Sequence, residues 1–125
     1  MKSLLTAAVI AAAALAPAAH ADCSYPHAPV QIPDGNTATL AQMMSAQKAV
    51  QAYNQEMTAY LSCIQLERDS RVANVGDKLT KQQKQALEAI EVQKHNAAVD
   101  QLHAVADQFN AQVKIFKAKD KKSDD

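Results

Sequence analysis

Cys23, Cys63, His27, His95, His103 and Asp107 are the side chains whose types could do chemistry once the first 21 residues are set aside. Two cysteines can form an internal disulfide, a bridge between chains or a redox pair. A catalytic redox pair usually sits as Cys-x-x-Cys at a helix start, where the thiolate is stabilised, and these two lie far apart in the chain. Metal binding needs ligands on one face. His103 and Asp107 stand at i and i+4, as do Glu91 and His95, and such pairs can share a divalent ion. His95 and His103 are eight residues apart, over roughly 10 Å of helical rise. Neither Cys-x-x-Cys nor His-x-x-x-His occurs. His95, His103 and Asp107 are therefore candidate ligands only, structural roles explain them more simply, and no cofactor is expected.

Other chemistry finds less support. Met43, Met44 and Met57 could form a soft copper site, but Met43 and Met57 fall on an apolar stripe where core packing accounts for them. Tyr53 and Tyr60 share that stripe. Ser62 has no base with an orienting carboxylate signalled near it. Gly35 and Gly76 are the two glycines, so no Gly-rich phosphate loop exists. The composition suits thin helices, which lack the volume of a closed pocket. No catalytic residue is expected and the chain reads as a non-enzyme. Lys114, Lys117, Lys119, Lys121 and Lys122 make a basic end, better read as complementing a helix dipole than as an anionic-lipid contact.

What positions these residues begins with targeting. Lys2, an apolar run over residues 4–15 and Ala19-His20-Ala21 form a secretory signal peptide cleaved after Ala21. Spanning a bilayer takes about 20 apolar residues, so stable membrane insertion is not expected. The destination is the periplasm or the exterior. That oxidising setting and an even cysteine count favour a Cys23–Cys63 disulfide. The 125 residues carry 13 basic and 13 acidic side chains, so no charge field drives nucleic-acid binding. After residue 21, Leu, Ile, Val and Phe make up about a fifth of the chain, near the limit for building a core.

The chain divides into residues 1–21, a Pro-rich extended arm over 22–38, a helical hairpin over 39–117 and a charged flexible tail over 118–125. Pro26, Pro29 and Pro33 fix φ and remove donors, and Asp34-Gly35 signals a turn. Thr39-x-x-Gln42 and Thr80-x-x-Gln83 are capping boxes that open two helices. Met43, Ala46, Val50, Tyr53, Met57, Tyr60 and Ile64 alternate at spacings of three and four, a heptad seam. Val92, His95, Val99, Leu102, Ala106, Phe109, Val113 and Phe116 do the same in the second helix. Gly76 is the expected stop of the first. The short linker makes the helices antiparallel neighbours, giving an all-α, coiled-coil-like two-helix hairpin. Leu61, Leu87, Ile90, Val105 and Ile115 flank the seams. That leftover apolar area calls for a homodimer or another protein partner, or for coverage by Val30 and Ile32 of the arm. The arm is long enough to fold back along the first helix and be pinned at Cys63.

Leu79-Thr80-Lys81-Gln82-Gln83 resembles the Leu-Thr-x-x-Gln motif of the Spy/CpxP-like periplasmic stress proteins. Ala38-Thr39-Leu40-Ala41-Gln42 repeats it without the first Leu. This resemblance implies an exported helical chaperone whose cradle-like dimers hold unfolded clients. Most of the chain after residue 21 is similar to a group of small secreted proteobacterial helical-hairpin proteins. The likeness rests on Cys23, Pro26, Pro29, Pro33-Asp34-Gly35, Tyr60-Leu61-Ser62-Cys63, Asn96–Asp100 and Phe109-Asn110-x-x-Val113. It implies fold and compartment. The functional expectation is an exported protein acting through protein contacts, with a client-holding chaperone as the alternative and a metal-binding module third.

Overall fold

The structure is a computed structural model that describes residues 22–29 and 31–123. The expected signal peptide, Val30 and the last two residues lie outside the described residues.

Two long helices account for most of the chain. Helix α1 covers Leu40–Val75 and helix α2 covers Lys81–Ser123, with a 3-10 turn at Gly76–Lys78 between them. No strand occurs among the described residues. Both starts are fixed locally. The Thr39 hydroxyl accepts from the Gln42 amide at 3.2 Å, and the Gln42 side chain accepts from the Thr39 amide at 2.8 Å. Thr80 and Gln83 repeat the exchange at 3.2 and 2.9 Å. Each box satisfies two amides that a helix start leaves without partners, and a side-chain cap contributes about 1 kcal/mol.

The helices run antiparallel. Met43 near the start of α1 clusters with Phe116 near the end of α2, and Val50, Tyr53 and Met57 cluster with Ala98 and Val105. All seven seam residues of α1 are buried or half-buried. The expected seam of α2 holds from Val99 to Phe116, whose members are half-buried or buried, and departs from expectation at its start. Ala98, Val105 and Phe116 are its buried members, Leu102 and Phe109 pack beside them, and Val92 is 53% exposed. His95 is exposed and does not interrupt the seam. The reason is steric. Met57 and Ala98 both have zero exposure in one cluster. A small residue lets helices approach closely, so the deepest contact need not fall at the largest side chain.

Two further expectations need correction. Gly76 adopts φ −53° and ψ −41°, right-handed backbone open to any residue, so the helix does not end through a left-handed glycine. Residues 118–123 are helical: α2 runs to Ser123, beyond the expected end at Lys117. Lys119 donates to the Ala38 carbonyl at 2.8 Å and lies 4.8 Å from the Phe116 ring centroid, which ties these turns to the base of α1.

The arm lies against the helix pair. Cys23 and Cys63 are joined, with their Cα atoms 5.8 Å apart. Tyr25 meets Tyr60 edge-on at 5.0 Å, and Ala28 and Ile32 pack on the Tyr53–Met57–Ala98 cluster. A turn at Asp34–Ala38 then feeds α1, closed by Ala38 N–H to the Asp34 carbonyl at 2.8 Å and by Asn36 N–H to Asp34 Oδ1 at 2.9 Å. Inside it, the Gly35 amide donates to Gln112 Oε1 at 2.8 Å. A Cβ on Gly35 would stand 2.8 Å from Phe116 N and 2.9 Å from Ile115 Cβ, and closer still to the Gln112 carbonyl oxygen. Only glycine permits that approach.

Candidate interaction surface

The arm covers one half of the helix pair and leaves the half nearest the 76–80 connection open. The buried residues follow that division, although Leu40 and Met44 at the start of α1 are also exposed. The last buried residue of α1 is Ile64 and the first of α2 is Ala98. Beyond them Leu66 is 70% exposed, and Val72, Ile90 and Val92 are about half exposed. Large apolar side chains held in water along two facing helices are the arrangement a partner covers.

Two grooves run between the helices here. One, of about 400 Å³, is lined by Leu61, Ile64, Arg68, Glu91, Val92 and His95 among others. The next, of about 600 Å³, is lined by Val72, Gly76, Leu79, Lys84 and Leu87 among others, and both include Arg68 and Glu88. They form a continuous trough of apolar floor with charged edges. The heptad pattern has lapsed at this point. Glu91 and Lys94 take inward positions of α2 and pair at 3.5 Å, with the Glu91 side chain largely buried. A polar pair cannot close the seam as Val and Met do, so the helices stay less tightly sealed. Arg71 pairs with Glu67 at 2.8 Å and Arg68 with Asp69 at 3.0 Å. Exposed pairs of this kind contribute under about 1 kcal/mol each and are free to rearrange around a ligand.

The candidate metal ligands are not brought together. His95 lines the trough, while His103 and Asp107 are exposed further along α2 and His27 is exposed on the arm. Among the described residues no three His, Cys, Asp or Glu side chains come close enough to hold an ion. Ser62 spends its hydroxyl on the Thr58 carbonyl at 3.1 Å. Among the described residues, no helix is long and apolar enough to cross a membrane.

The residues that sequence reasoning passed over are those that seat the arm and those left bare. Gly35 was readable as a turn, but its contact with Gln112 joins positions 77 apart and leaves no local signal. Leu66 and Val72 sit in the part of α1 past the clean heptads, and that lapse was the available signal. The Cys23–Cys63 disulfide fits an oxidising compartment. No family model, curated protein or solved structure matches the chain.

Proposed function

We propose that this chain is an exported, non-enzymatic protein that acts by binding another protein through the open half of its helix pair. It is built as an antiparallel hairpin with a Pro-rich arm pinned along the other half. The carrying observation is the run of bare apolar side chains beyond the arm: Leu66, Val72, Ile90 and Val92 are about half or more exposed, and Val72 and Val92 line the charged-edged trough. Export rests on the sequence of residues 1–21 and on the disulfide. In-cell crosslinking followed by affinity capture tests the reading. Capture of one stoichiometric partner by the wild type, lost in Leu66→Gln with Ile90→Gln, supports it. Equal capture by both removes it.

A client-holding chaperone is the second reading. A trough with an apolar floor and both signs of charge at its rim suits varied unfolded chains. A broad smear of captured proteins, lost in the same variant, favours this reading over a dedicated partner.

A further inference from the structure

The end of the hairpin where α1 begins and α2 finishes carries a surface separate from the trough. The clustering of Met43 with Phe116 and the bond from Lys119 to the Ala38 carbonyl put these two helix ends side by side. Leu40 is 63% exposed and Met44 is 51% exposed, although Met43 beside them is buried. Leu40 and Met44 stand at i and i+4, so they share one face of α1, and exposed Lys48 extends that row by another turn. On α2, Lys114, Lys117 and Lys121 follow one another at spacings of three and four, and all are exposed. They form a second row on the adjoining helix end.

Positive charge is gathered in the same place. No acidic residue occurs from Gly35 to Gln55. Residues 34–55 and 111–125 together contain six lysines and four aspartates, while residues 22–33 and 56–110 contain six basic and nine acidic side chains. A chain of near-zero net charge therefore has a positive end. The helix dipole accounts for only part of it. Its influence fades within the last turn, which holds Lys121 and Lys122, and Lys114 and Lys117 lie further back. Lys119 is spent on the Ala38 carbonyl. Every basic residue at this end is a lysine, whereas both arginines, Arg68 and Arg71, lie in the other half. The planar fork of arginine suits a fixed carboxylate partner. Lysine is a flexible point charge, which suits a fluid field of phosphates. Lysine stems cover apolar surface while their ammonium groups reach outward, and exposed Leu and Met enter the boundary between headgroups and acyl chains.

We propose that this end of the hairpin docks on a phospholipid bilayer rich in phosphatidylglycerol, with Lys114, Lys117 and Lys121 on the phosphates and Leu40 and Met44 in the interface. Such docking needs no spanning helix, and none of the described helices is long and apolar enough to cross a membrane. Arg68, at the edge of the trough, lies 28 residues beyond Leu40 along α1, roughly 40 Å away. Both surfaces can therefore be occupied at once.

The test is vesicle flotation of the full exported chain. Vesicles of phosphatidylcholine mixed with phosphatidylglycerol are compared with vesicles of phosphatidylcholine alone. We expect saturable binding to the first, none to the second, and release at high salt. Lys114→Gln with Lys117→Gln and Lys121→Gln should weaken binding about a hundredfold, from roughly fivefold for each lysine at an anionic surface. Leu40→Gln with Met44→Gln should weaken it too. Lys78→Gln with Lys81→Gln and Lys84→Gln removes the same charge at the far end, beyond the screening length, and should leave binding unchanged. All of these side chains are exposed, so the variants keep the fold. Equal binding to both kinds of vesicle, equal loss in the two lysine variants, or no binding at all overturns the proposal. Binding to lipopolysaccharide or to an acidic protein, with none to phosphatidylglycerol vesicles, overturns it as well.

Discussion

Tyr53 carries the most informative side chain. Burial pushes its phenol above the usual value of 10.0, and the neighbouring Tyr25 phenol adds to the shift. The unfolded chain ionises at the ordinary value while the folded chain keeps its proton to higher pH. Stability from this group is therefore complete below pH ~10 and is lost as pH rises through the folded value. Tyr53→Phe removes the ionisable hydroxyl and should flatten the alkaline decline. Urea titrations at neutral pH and near pH ~11 check this. The glycines differ just as sharply. Gly35→Ala forces a methyl into the backbone of α2 and should cost about 1–3 kcal/mol. Gly76→Ala, at helical φ and ψ with only Val72 Cγ1 at 3.4 Å, should be neutral or stabilising by about 0.4–1 kcal/mol. In the sequence Gly35 reads as a turn residue and Gly76 as the stop of the first helix. A Pro-Asp-Gly turn announces itself locally; the helix it will press against does not. The histidines belong to this scale too. Zinc at tens of micromolar should leave the melting curve unmoved, whereas a saturable rise abolished by His103→Ala would establish a site by linkage.

At the scale of elements, helix starts and the first seam were legible because their causes are short-range. A capping box spans four residues, and a heptad repeats until its partner is found. The α2 seam was legible only from Val99 onward, because bulk was counted and closeness was not: Ala98 is fully buried while Val92 is half exposed. The end of α2 was missed for a similar reason, since a run of lysines reads as solvated until Lys119 reaches the Ala38 carbonyl. The arm is the element whose hold is most concentrated. A disulfide closing a loop across 40 positions contributes about 4 kcal/mol in the chain-entropy model. Cys23→Ser with Cys63→Ser should therefore lower stability by about 2–4 kcal/mol in chemical denaturation. An unchanged midpoint would show that the arm adds little to the folded state.

For the whole molecule, the thin composition and the open trough express one fact. About a fifth of the chain after residue 21 is Leu, Ile, Val or Phe, enough to build a buried core in the half that the arm completes. The sequence showed that apolar area would be left over, and it named Ile90 and Leu61 at the edges. It could not show that the arm would cover only the half near the chain ends, because that depends on where Cys63 and Gln112 lie in space. If the open half serves a second copy, light scattering over a concentration series will show mass rising to twice the monomer. A constant monomer mass up to hundreds of micromolar leaves a different protein as the partner. Position-specific crosslinking in living cells reads the claim most directly. A photoreactive benzophenone side chain is placed in turn at Ile90, in the open half, and at Gln55, exposed on the arm-covered half. We expect discrete adducts from Ile90 and none from Gln55. Equal adducts from both positions, or none from either, would contradict a protein-binding surface on the open half of the helix pair.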